Sequence, residues 1–354
     1  MKRWLVRAIL LGAAAALAGF LVAASGLVPV KASAGHWAIT EWFLRFSLKR
    51  SVATHSLTVD VPRNLADPAL IRKGAAHYDV ACRSCHGEPG GELPRLATHM
   101  LPQPPELAAR IRESDPKRLF YVVKHGIKFT AMPAWPSTQR DDEVWAIVAF
   151  LVQYPQLDTA TYRRLAGRNA DTGIVAPLAL AQACAQCHGA DGLGHGNALL
   201  PRLAGQREAY LLKTLEAFAR GARHSGMMEP VAAALTPEAR AALAREFAAM
   251  RPAAVSPAGQ ARGETIAREG IPAQRVPACV ECHGPGAKRG KPEYPSLAGQ
   301  PADYLELQLT LFREQRRGGS DHAHLMQPIA ARLTPEQARE VAEYFAGLRA
   351  DSSR

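Results

Sequence analysis

The hydrophobic pattern splits the chain into an uninterrupted apolar run, an aromatic-rich segment and a long stretch with helical periodicity. Ala8 to Val30 carries no charge over 23 residues. As a helix, such a run spans ~34 Å, about one hydrocarbon core. From His36 to His55, Trp42 and Phe46 share a helical face, Trp37 and Phe43 lie nearby, and Arg45, Lys49 and Arg50 follow. That pattern predicts a helix that either lies at a membrane–water boundary or packs its aromatics on the domain that follows.

Beyond residue 65 the helix signals recur without strand alternation. Asp67-Pro68 and Asp115-Pro116 each place an N-cap before a proline at the first helical position, and Gly126 supplies a stop. Asp141-Asp142-Glu143 puts negative charge at the start of a helix that ends before Pro155. Thr236-Pro237 and Thr334-Pro335 open two later helices. Loose composition around Ala166–Gly173 and Met250–Gln260 marks linkers.

An internal repeat organises the second half. CAQCHG at Cys184 matches CVECHG at Cys279, and PRLAGQ from Pro201 matches PSLAGQ from Pro295. MEP at Met228 matches MQP at Met326, and LTPE at Leu235 matches LTPE at Leu333. The region from 65 to 160 follows the same plan in different words. The expected organisation is an N-terminal anchor or signal segment at 1–31, a juxtamembrane helix and linker at 32–64, and three units at 65–160, 168–254 and 255–354.

The six cysteines change the picture most. They form three pairs, Cys82/Cys85, Cys184/Cys187 and Cys279/Cys282, each followed at once by a histidine: His86, His188 and His283. A disulfide framework leaves those histidines unexplained. Zinc ribbons pair two knuckles roughly 15–20 residues apart, whereas these motifs lie 102 and 95 residues apart. CxxCH instead suits covalent haem. The cysteines are one helical turn apart, so both sulfurs reach the vinyl groups from one side and the histidine is carried under the iron.

The opposite axial position needs methionine or histidine, and a Met/His pair raises the potential relative to His/His. Met132, Met228 and Met326 lie 47, 41 and 44 residues after the second cysteine of their units, each with a proline at +1 or +2. These are the expected ligands, carried on loops before the last helix of each unit. Met227 competes with Met228, and the repeat's spacing to proline favours Met228. His125, His224, His322 and His324 are rivals expected at the surface or behind the ligands. Carbonyls of Pro201 and Pro295 are candidates to accept from the proximal rings; the first unit's counterpart within Pro102–Leu107 is not evident.

The net charge of +11 includes +6 from the first 64 residues. The propionates of three haems would offset most of the remainder, and no basic stripe with interleaved aromatics points to nucleic acid. Lys2, Arg3 and Arg7 before the apolar run place the N-terminus in the cytoplasm and the haem units in the periplasm, at the bacterial inner membrane. Ala32-Ser33-Ala34 also offers a cleavage site, so a retained anchor and a removed signal are both open.

CxxCH, a later methionine and a final aromatic-bearing helix resemble the class I cytochrome c family. The repeated words of the second and third units resemble tandem di-haem cytochromes of the "c-four" type. The resemblance implies an all-α protein with three consecutive cytochrome c-like domains after an N-terminal helix, three c-type haems and single-electron transfer without catalysis. Expected partners are a quinol-oxidising complex or dehydrogenase as donor, and a terminal oxidase or soluble cytochrome as acceptor. A cytochrome subunit of a membrane-bound alcohol or sugar-acid dehydrogenase is the alternative. A haem enzyme or gas sensor with one open iron is a third. No P-loop, dinucleotide turn or nucleophile elbow is present.

Overall fold

The computed structural model describes residues 2–28, 31–168, 179–252, 261–284 and 290–349. Helix α1 (Lys2–Ala24) is apolar and exposed along its length. Helix α2 (Ala38–His55) is anchored by its second half: Val52 is buried, and His55 stacks on Tyr121 at 5.6 Å. Its aromatics do not pack on the first unit. Ile39, Trp42, Phe43 and Phe46 are each more than half exposed. The packing residues Leu44, Leu48 and Val52 lie on the opposite stripe, so the first unit holds this helix by its other face.

The first unit is built on α3 (Pro68–Ala81), α4 (Pro116–His125) and α5 (Asp141–Gln153). Asp67 and Asp115 cap α3 and α4 by accepting from the amides of Ala69 and Arg118, and α4 ends at Gly126 with φ 64°. Helices α3 and α5 cross at Gly74, where a Cβ would run into the Ala146 carbonyl. Around this crossing Tyr78, Val144, Ile147, Phe150, Tyr154 and Tyr162 form the core. Tyr162 comes from α6 (Thr159–Leu165), so the first unit's packing continues past residue 160.

The second unit contains α7 (Ala179–His188), α8 (Glu208–Ala219), α9 (Met228–Ala233) and α10 (Pro237–Ala249). The third contains α11 (Ala261–Glu269), α12 (Ala302–Arg313), α13 (Ala323–Arg332) and α14 (Pro335–Gly347). Gly263 repeats the role of Gly74: a Cβ there would meet the Glu340 carbonyl where α11 crosses α14. Residues 169–178 and 253–260, which include most of both expected linkers, lie outside the described residues. Among the described residues there are isolated bridges but no strand.

The units dock through paired polar contacts. The last residue of each LAGQ word reaches across. Gln206 donates to the Ser296 carbonyl at 2.9 Å and accepts from its amide at 2.8 Å. Gln300 does the same with Arg202, at 2.7 and 3.0 Å. The exchange is reciprocal: the same glutamine of each repeat pairs with the backbone of the other unit. The first unit meets the second where Asn197 donates to the Ala69 carbonyl, Gln186 donates to Asp79, and Leu199 packs beside Leu70.

Candidate haem-binding sites

Each CxxCH closes a helical turn. Cys82 follows α3 and leads into the turn Arg83–His86, and Cys279 leads into Val280–His283. Cys85 and Cys282 sit inside these turns, their amides donating to the carbonyls of Cys82 and Cys279 at 3.1 and 3.2 Å. His86 and His283 donate to the same two carbonyls, at 2.9 and 3.0 Å. The second motif, with Cys184 and Cys187, occupies the last turns of α7.

The sequence assigns Cys82, Cys85, Cys184, Cys187, Cys279 and Cys282 to thioether bonds, and none of the six is paired in a disulfide. Each is half-buried. The Ser84 hydroxyl lies 4.0 Å from Cys85 Sγ, a contact within its own turn. Burial pushes Cys82 up to about 12, Cys187 and Cys279 up to about 11, and Cys184 upward.

The three histidines are half-buried, and the resulting desolvation lowers each pKa. Nδ1 of His188 lies 3.4 Å from the Pro201 carbonyl, and Nδ1 of His283 lies 3.0 Å from the Pro295 carbonyl. A ring that donates from Nδ1 keeps its lone pair on Nε2, free for a metal. His86 is likewise desolvated, but its Nδ1 has no acceptor among the described residues, in Pro102–Leu107 or elsewhere.

The methionines sit in different local structures. Met132 lies in irregular backbone fixed by Thr130, whose hydroxyl accepts from the Met132 amide at 3.1 Å. Met228 opens α9 and Met326 lies within α13, so two of the three are on short helices and not on the expected loops. The reason is local for Met228: the Ser225 hydroxyl accepts from the amides of Met227 and Met228, at 3.3 and 3.0 Å, and nucleates the turn. Met227 packs against the first unit's core. Of the rival histidines, His125 lies against Tyr121 at 4.7 Å, and the His224 amide donates to Arg317. His322 meets Tyr294 edge-on at 5.2 Å, and His324 Nδ1 bonds the Asp321 carbonyl at 2.8 Å.

Two buried guanidinia were not legible as site residues. Arg223 and Arg317 lie over Phe218 and Phe312, 4.7 and 4.3 Å from the ring centroids. Arg223 donates to Tyr210, Thr214, Tyr304 and Gln308, and Arg317 donates to Gln308. No carboxylate is among those partners. Burial and the neighbouring Arg223 pull Arg317 down to about 10. Tyr210 packs on the same cluster as Cys184, and Tyr304 on the same cluster as Cys279. Buried positive charge where the second and third units meet fits the propionates of a haem. The three Cys-x-x-Cys-His turns, the Nδ1 contacts of His188 and His283 and these guanidinia together fit a covalent haem.

Helical units built around a CxxCH turn define the class I c-type cytochromes, and the chain belongs to that family, with tandem c4-like units and three c-type haems. Residues 69–151 match the family described as cytochrome c oxidase, cbb3-type, subunit III, and residues 176–245 and 260–349 match cytochrome c. A thiosulfate dehydrogenase electron acceptor from Stutzerimonas stutzeri is 41% identical over 173 residues, 48% of this chain and 80% of that one. Cytochrome c4 of Pseudomonas aeruginosa is 36% identical over 173 residues, 48% of this chain and 86% of its own. A solved thiosulfate dehydrogenase from Marichromatium purpuratum is 38% identical, covering 54% of this chain and 41% of that one, with a TM-score of 0.43. The protein is an electron-transfer cytochrome.

Proposed function

We propose that the chain is a membrane-tethered periplasmic carrier that passes single electrons between redox proteins, with six-coordinate irons in all three units. The haems attach through Cys82 and Cys85, Cys184 and Cys187, and Cys279 and Cys282. His86, His188 and His283 are the proximal ligands, and Met132, Met228 and Met326 bind opposite them. The observation that carries this reading is the Nδ1 of His188 and of His283, each turned to a proline carbonyl so that Nε2 is left for iron. The bound haems supply reversible one-electron oxidation of iron. The chain supplies the rest. The prolines orient the rings, Thr130 and Ser225 hold the methionine backbones, and Arg223 with Arg317 neutralises buried propionates.

The test replaces Met132, Met228 and Met326 by histidine, one at a time, and follows a redox titration spectroscopically. Each change lowers the potential of one haem and removes its share of the methionine-to-iron charge-transfer absorption. Survival of that absorption in all three variants discards the ligand assignment.

Two features support the location. Helix α1 has the length and composition of a span, and α2 presents an exposed aromatic stripe beside basic residues. A second functional reading is the electron-accepting subunit of a dehydrogenase. It is favoured by the likeness to thiosulfate dehydrogenase electron acceptors. Co-purification of the native chain with a substrate-oxidising partner separates this reading from a free carrier.

A further inference from the structure

The start of α5 carries a carboxylate that the electron-transfer chemistry does not use. Glu143 is 2% exposed. Its Oε2 accepts from the Trp135 indole at 3.2 Å and from the Gly226 amide at 2.6 Å. Its Oε1 accepts from the Ser225 hydroxyl at 2.7 Å and lies 3.2 Å from the Arg140 guanidinium. Arg140 in turn donates to the His224 carbonyl at 2.7 Å. Trp135 lies three residues after Met132. Ser225 and Gly226 belong to the segment that leads into Met228. One buried carboxylate therefore joins the methionine segments of two different units.

Beside the Gly226 amide, the Ser225 hydroxyl links the carboxylate to Met228. Ser225 Oγ donates to Glu143 and accepts from the Met228 amide, so the carboxylate fixes the rotamer that caps the methionine's own backbone. The fit is close. A Cβ at Gly226 would collide with the Trp135 indole, so only glycine lets the two segments meet here. A buried carboxylate needs this many donors to remain where it is.

We propose that Glu143 is a positioning residue that clamps the methionine segments of units one and two to each other, so that the strength of both axial bonds is set jointly. The proposal rests on the axial assignment of Met132 and Met228. Failure of that assignment shows separately, in the methionine variants above. With the clamp intact, neither sulfur can leave its iron without disturbing the other unit. Among the described residues, the hydrogen-bond and ion-pair partners of the Glu143 carboxylate come from units one and two, so the Met326 segment of the third unit lies outside the clamp.

The test uses the mature full-length protein with three haems. Imidazole competes with methionine for ferric iron, so its affinity for each haem reads the strength of each axial bond. Glu143→Gln keeps the shape but cannot accept all of these hydrogen bonds. Imidazole affinity should rise roughly tenfold at the haems of units one and two, the size expected from losing a charge-assisted hydrogen bond, and stay native at unit three. Ser225→Ala should raise it at unit two alone, and Trp135→Phe at unit one alone. These two milder variants keep the test decisive if the glutamine variant fails to mature. The proposal is overturned if the variants melt earlier while imidazole affinities and all three potentials stay native, or if all three haems shift together.

Discussion

His77 is 5% exposed, stacks on Trp135 with ring centroids 6.0 Å apart, and has no partner for its Nδ1 among the described residues. Burial, with Lys73 and Arg140 nearby, lowers its pKa to about 3 against the opposing pull of Asp142. The native state therefore holds it neutral, whereas the unfolded chain protonates it below about pH 6.5. Its contribution is fully present above that pH and is lost as the pH falls toward 3. Between pH 6.5 and 4.5 the loss should reach about 2 kcal/mol. A His77→Gln variant should show a shallower fall of melting temperature over that range than the native chain. Parallel curves would exclude this account. Nothing in the local sequence of His77 announces this burial. It comes from the docking of α3 beside Trp135 and the start of α5.

At the level of elements, the helices were readable because their ends carry chemical signals. Asp67, Asp115, Thr236 and Thr334 each accept from a backbone amide at the start of the helix they precede. Thr334 and Gln337 complete a reciprocal capping box. The glycines at helix crossings were less legible. The purpose of Gly263, close approach to the Glu340 carbonyl, shows only once the partner helix is in place. Gly263→Ala should force α11 away from α14 and cost about 1–3 kcal/mol. The expected outcome is a lower urea midpoint and poor haem loading of the third unit only. Native loading and an unchanged midpoint would show that the crossing tolerates a methyl group.

At the scale of the whole molecule, α2 links the first unit to the apolar N-terminus. Its inner stripe is fixed by Val52 and by His55 on Tyr121, while Trp42 and Phe46 stack on each other at 5.8 Å on the outer face. Exposed aromatics next to Arg45, Lys49 and Arg50 suit the headgroup region of an anionic bilayer. The full chain in phosphatidylcholine–phosphatidylglycerol vesicles containing a carbene-generating acyl chain should become labelled in α1 and on the outer face of α2. In the triple variant Trp42→Ser, Phe43→Ser, Phe46→Ser, α2 should lose its label while haem absorption stays native. Label confined to α1 in the native chain would reject the interfacial placement. The start of α5 shows the same scale at work between units. Arg316 of the third unit donates to the Gln139 carbonyl at 2.7 Å, beside the Arg140 and Glu143 contacts with the second.

The sequence alone determined what depends on local covalent order. Two cysteines and a histidine within five residues dictate haem attachment, a proline after Asp or Thr dictates a helix start, and an uncharged apolar run dictates a bilayer-length helix. The tertiary structure decided what depends on partners distant in the chain. It placed Met228 and Met326 on short helices, turned the aromatics of α2 outward, gathered Arg223 and Arg317 without carboxylates, and set Glu143 between two methionine segments. The physical reason is range: capping and attachment act within one helical turn, whereas burial and charge pairing are settled only when separate units meet.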